Sequence, residues 1–182
     1  MTAPGEIKPH QDILIRDDKI AQVSDHGTIT VQADETIDGT HRLFMPGLID
    51  SHLHTGQQLL RGRVLDTKGI IWQKVMLPFE ANMTAETMTL NAQLTALEMI
   101  TSGTTGFVES GSYHMAAAGT VYAKSGLRGA LAYSTMDDPT LPATINMDAK
   151  TAIAHTDALY DQFHGRNHLQ VYYSLRALNN CS

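Results

Sequence analysis

A chain of 182 residues, 42 % of them hydrophobic, carries enough apolar side chain to bury a core as one domain. Its net charge of −6 and its scattered basic residues exclude an electrostatic footprint for nucleic acid. One cysteine, Cys181, excludes an internal disulfide framework and fits a reducing compartment. No apolar run approaches a membrane span, so a cytoplasmic protein without membrane contact is expected.

In chain order, residues 12–16, Asp-Ile-Leu-Ile-Arg, and 20–23, Ile-Ala-Gln-Val, are short β runs joined by the polar turn Asp17-Asp18-Lys19. Thr28 to Val31 alternates as a third strand and Thr36 to Asp38 reads as a fourth, which predicts a small antiparallel scaffold. The pattern changes at Met45 to Arg61, MPGLIDSHLHTGQQLLR. Pro46-Gly47 punctuates the start of an apolar strand, Leu48-Ile49-Asp50, which runs into His52 and His54. Strand residues at i and i+2 share a face, so the two imidazoles project together from the strand's C-terminal end. Such a pair is half of a divalent-metal site, although an isolated H-x-H is also common in solvated loops.

Residues 55–83 show no clean period. Asp66-Thr67-Lys68-Gly69 breaks them, and Ile70 through Leu77 has room for one or two helical turns. A long connection leaving a strand's C-terminal end usually carries function. Within it, Trp72 reads either as packing or as a substrate contact, and Glu80 either as a first-turn carboxylate or as a substrate contact. Thr84 caps a helix with Glu86 in its first turn, Leu90, Leu94, Leu97 and Ile100 as its apolar stripe, and Gly103 beyond its end. Thr104 to Glu109 is the next strand, and Glu109 at its tip is either a functional carboxylate or a structural acceptor. His114 in the following loop is a surface histidine or a site candidate. Residues 115–125 read as helix stopped by Gly126, Leu127 to Tyr133 as strand, Asp148 to Phe163 as helix using Ile153, Leu159, Tyr160 and Phe163, and Leu169 to Leu175 as strand. Strands alternating with helices after an initial β cluster predict a parallel α/β architecture.

The motif P-G-L-I-D-S-H-L-H, with L-L-R-G at 59–62, Trp72, L-P-F-E at 77–80 and E-M-I-T-S-G-T-T-G-F-V-E at 98–109, resembles the amidohydrolase superfamily in its cytosine deaminase-like, aminohydrolase branch. The resemblance runs from about Asp12 to Ser182. It implies a metal-dependent-hydrolase (β/α)8 barrel preceded by a small β-sandwich, with residues 1–44 as the N-terminal part of the sandwich and 45–182 as the first half of the barrel. Such a barrel needs roughly 200–250 residues or more, so its remainder is expected outside this sequence.

By the same resemblance His52 and His54 are the first two ligands of a divalent metal, zinc or alternatively iron. Two further histidines, an aspartate and the general acid/base Glu are then expected beyond Ser182. Glu80 falls where nucleoside-processing members place a Glu that accepts hydrogen bonds from sugar hydroxyls. Arg176 falls at the family's substrate-contacting histidine when Cys181-Ser182 is matched without gaps, and a slip of three residues puts Tyr173 there instead. Arg176 then favours an anionic or carbonyl-rich ligand, or makes a structural ion pair. Trp72 and His114 complete the substrate-binding candidates. The implied activity is hydrolytic deamination of a nitrogen heterocycle or amidine-like small molecule. A triazine-type chlorohydrolase and a non-catalytic half-barrel fragment are the alternatives, and association into a homo-oligomer is expected.

Overall fold

Parallel strands cannot be joined by a tight turn, so a chain that alternates strands with long helices must cross over between neighbours. The computed structural model shows this for most of the molecule, and describes residues 5–64, 66, 68–177, 180 and 181. Thr67 of the expected break, and Leu178, Asn179 and Ser182 of the terminal motif, lie outside the described residues. The chain divides into two units, Met1–Pro46 and Gly47–Ser182.

In the first unit β1 (Gln11–Arg16) pairs antiparallel with β2 (Lys19–Asp25), with Arg16 opposite Lys19 across a turn in which Asp17 takes a positive φ of 55°. Residues 28–31 and 36–38 are not strands, contrary to the alternation read in the sequence. Their polar side chains close local turns instead: the Thr28 hydroxyl donates to the Asp25 carbonyl at 2.7 Å, and Asp38 accepts the Thr40 amide at 2.9 Å. Among its described residues none is fully buried.

The second unit holds a four-stranded parallel sheet in the order β3 (Leu48–Leu53), β4 (Thr104–Glu109), β5 (Arg128–Leu131), β6 (Leu169–Val171). A 3-10 turn follows β3 over Thr55–Leu60, and a single π turn, Trp72–Met76, leads into the short helix α1 (Leu77–Ala81). The crossovers are α2 (Ala85–Ser102), α3 (Met115–Ser125) and α4 (Ala149–Phe163). Their ends follow the sequence signals. Thr84 accepts the Thr87 amide at 3.1 Å, Asp148 accepts the Thr151 amide at 2.7 Å, and Gly103 and Gly126 turn left-handed at φ 80° and 78°.

The helices bury one face of the sheet, where Phe107, Leu131, Leu169 and Val171 meet Met88, Met115, Tyr122 and Phe163. Two helix faces differ from the expected ones. α2 turns Met88, Ala92, Ala96 and Met99 inward and leaves Leu90, Leu97 and Ile100 exposed; α4 buries Leu159 and Phe163 but exposes Ile153 and Tyr160. β5 and β6 are shorter than expected. Just beyond Val171 the Tyr172 amide still reaches the Leu131 carbonyl at 3.1 Å, and side chains tie this segment to the end of β4: Ser174 donates to the Ser110 carbonyl at 3.0 Å, and the Tyr172 hydroxyl donates to the Glu109 carbonyl.

Candidate active site

The C-terminal ends of β3, β4 and β5 gather the polar residues of the second unit, as parallel sheets do. His52 and His54 leave β3 with ring centroids 5.1 Å apart, edge to face. His54 is half-buried, and its Nδ1 lies 3.2 Å from the Gly111 carbonyl in the loop after β4. A carbonyl only accepts, so Nδ1 carries the proton and Nε2 keeps its lone pair. Burial, and then the nearby Arg176 cation, hold the His54 imidazole below its ordinary pKa and favour the neutral form. A neutral imidazole anchored through one nitrogen is what a metal ligand requires, so His54 is fit to serve as one, with the His52 ring beside it. Among the described residues no group of three His, Cys, Asp or Glu side chains is assembled to hold an ion.

Beside His54 lies a buried polar network. Arg176 Nη2 donates to Glu80 Oε1 at 2.6 Å, with their side chains 5 % and 3 % exposed. Arg176 Nη1 donates to Ser134 Oγ at 3.0 Å, and Gln57 Nε2 donates to the same Glu80 oxygen at 2.7 Å. Both donors converge on Oε1. Glu80 Oε2 is buried and has no hydrogen-bond partner among the described residues. Tyr113 borders the network, and burial pushes its hydroxyl up to about 12. The expected alternatives for these residues thus narrow. Glu80 is not a solvated carboxylate, and Arg176 is engaged by a counter-charge rather than free to meet an anion.

The other two candidates, Trp72 and His114, make different contacts. Trp72 packs into a second apolar cluster with Leu77, Tyr113, Met136, Leu141 and Ile145, which favours its packing reading. His114 takes φ 54° at the start of α3, and its Nε2 lies 3.0 Å from the Met83 carbonyl, so it ties the α1–α2 connection to the β4–α3 loop. That contact gives one of its ring nitrogens a structural partner.

Glu109, read in the sequence as functional or structural, is fully buried at the tip of β4. It accepts from the Thr55 amide and hydroxyl, the Ser112 hydroxyl at 2.8 Å and the Gly111 amide. Desolvation outweighs these bonds and pushes its carboxyl up to about 7. Gln57, Ser112 and Ser134 were not singled out in the sequence. Ser134 alone carried a usable signal, as a polar residue just past the C-terminal end of a parallel strand.

The sequence profile described as the amidohydrolase family matches residues 43–172. The chain is 39 % identical over 127 residues to 5-methylthioadenosine/S-adenosylhomocysteine deaminase of Thermococcus kodakarensis, a match covering 69 % of this chain and 29 % of that protein. Among solved structures, guanine deaminase from C. acetobutylicum with bound guanine superposes with a TM-score of 0.81 at 21 % identity, covering 94 % of this chain and 42 % of the other. An adenosine deaminase from Xanthomonas campestris with bound zinc gives 0.62 at 27 % identity, covering 71 % and 29 %. The chain therefore spans only about 30 % of the length of the curated relatives it matches. With the profile extending over well more than half of its residues, the chain belongs to the amidohydrolase family.

Proposed function

We propose that residues 45–182 form the first part of a (β/α)8 barrel in a metal-dependent aminohydrolase, which removes an amino group hydrolytically from a nitrogen heterocycle. Residues 1–44 are its sandwich portion. The observation that carries the reading is the anchored His54, whose Nδ1 is bonded to the Gly111 carbonyl while Nε2 stays available beside His52. The deaminase names of the relatives support the same chemistry. His52 and His54 would hold a divalent cation, zinc in the first instance, and when bound it would supply Lewis-acid activation of water. Two imidazoles fall short of a tetrahedral donor set, so the remaining donors and the acid/base carboxylate come from outside these residues.

Within this reading Glu80 is the polar anchor of the substrate pocket. Its Oε2 is a buried acceptor without a partner among the described residues, which a hydroxyl or amino donor on a ligand would satisfy. Because Arg176 already neutralises Glu80, the pocket favours a neutral substrate over an anion. The test is intact mass and zinc content of the purified protein, with ammonia release from purines, nucleosides, pterins and amidines and chloride release from a chlorotriazine. Ammonia release, with zinc on a chain heavier than the 19.9 kDa of these residues, is the expected result. Chloride as the only product would overturn deamination. A 19.9 kDa chain that takes up no zinc and turns over nothing would overturn the enzyme reading for this chain.

A further inference from the structure

We infer that Glu109 is a positioning residue for His54, acting on both flanks of that histidine from beneath the rim of the sheet. On one flank stands Thr55, the next residue in the chain, which gives its amide to Glu109 Oε2 at 2.9 Å and its hydroxyl to the same oxygen. On the other flank stands Gly111. Its carbonyl receives the His54 Nδ1–H, and the glycine lies between Glu109 and Ser112, whose hydroxyl bond to the Glu109 carboxylate closes the turn around it.

Ser112 closes the ring, donating to Glu109 Oε1 at 2.8 Å and accepting the Gly56 amide at 3.2 Å. Because the Thr55 hydroxyl donates to Glu109, its contact of 2.7 Å with Tyr122 takes the Tyr122 proton, so the chain of bonds ends on α3. A single carboxylate thereby ties the loop leaving β3 to the loop leaving β4.

The pairing of the two strands already includes the Ser110 amide on the Leu53 carbonyl at 2.7 Å. What Glu109 adds is orientation. It fixes the direction of the Gly111 carbonyl, and with it the nitrogen on which His54 carries its proton. Gly111 has φ +107°, and a Cβ there would lie 3.2 Å from Ser134 Cα and 3.3 Å from the Tyr133 carbonyl oxygen. A side chain at this position would therefore be strained in both backbone and space. The Gly111 carbonyl that takes the His54 N–H is the kind of partner that fixes ring orientation and whose loss commonly costs about 10–100-fold in metal affinity or activity; Glu109 acts on it from one bond further out.

The inference rests on His54 being an active-site residue, but its measurement needs no metal. In the metal-free protein, two-bond proton–nitrogen correlation spectra report which imidazole nitrogen is protonated. The native protein is expected to show His54 as the Nδ1–H tautomer alone. Glu109→Gln replaces one acceptor oxygen of the network with an N–H, and is expected to mix in the Nε2–H tautomer and to weaken zinc binding by up to about tenfold. Ser112→Ala removes one arm of the network, is milder, and is expected to move the tautomer in the same direction; it serves if the glutamine variant does not fold. An unchanged His54 tautomer in the folded variants overturns the inference. A tautomer shift in a protein that binds no zinc upholds positioning and sinks the metal reading instead.

Discussion

Glu109 sits where two demands oppose each other. Its hydrogen-bond donors favour the carboxylate, while complete burial disfavours the charge and is the larger effect, holding the group near 7 against 4.5 in an unfolded chain. Below pH 4.5 both states are protonated and the stabilisation is fully present. As the pH rises to about 7, the unfolded chain ionises freely and the folded one does not, so stability falls, by an amount on the order of 3 kcal/mol. Urea midpoints measured across this window should decline with pH in the native protein and flatten over the same range in Glu109→Gln. Equal slopes in the two proteins would show that another group sets them. The Arg176 pair illustrates what the sequence withholds at this scale. Its charge is visible in the sequence, but its partner Glu80 lies 96 positions away, and only the fold brings the two together.

The elements were more legible than the faces they bury. Caps at Thr84, Gly103, Gly126 and Asp148 are local signals, since each depends on bonds within a few residues, and the helices begin and end by them. The buried face of α2 is not local. Leucines at helical spacing suggested Leu90, Leu97 and Ile100, whereas the helix lays Ala92 and Ala96 against the sheet side, flanked by Met88 and Met99. Small residues permit close approach and methionines fill irregular gaps, so the tightest contact is made by the less hydrophobic stripe. The short alternating runs at 28–31 and 36–38 pair with no strand among the described residues, and their polar side chains close turns instead. Close approach also governs β5. A Cβ on Gly129 would fall 2.3 Å from the Phe107 ring, which itself lies 4.4 Å from the Tyr122 ring. Gly129→Ala should therefore cost about 2 kcal/mol by overpacking. A second change, Phe107→Leu, should recover part of that loss in urea denaturation. If Gly129→Ala alone leaves the midpoint in place, the ring has room to move and the packing argument fails.

Across the whole molecule, stability is unevenly shared between the two units. The parallel sheet and its helices enclose a continuous core, whereas β1 and β2 form a two-stranded sheet with Ile15 63 % and Ile20 68 % exposed. An isolated pair of strands is marginal in water. Amide hydrogen exchange should accordingly show β1 and β2 with little protection, and β4 and β5 with the slowest exchange in the chain. Comparable protection in both units would mean that the first has burial which its exposed side chains do not reveal. The order β3-β4-β5-β6 repeats the order of the chain, and each strand meets the one synthesised just before it. The β4–β5 and β5–β6 pairings are thus each closed over a single helix and its loops, whereas β3–β4 is closed over the longer run that carries α1 and α2. On a ribosome, which releases the N-terminal end first, these four strands can be laid down one after another at one advancing edge.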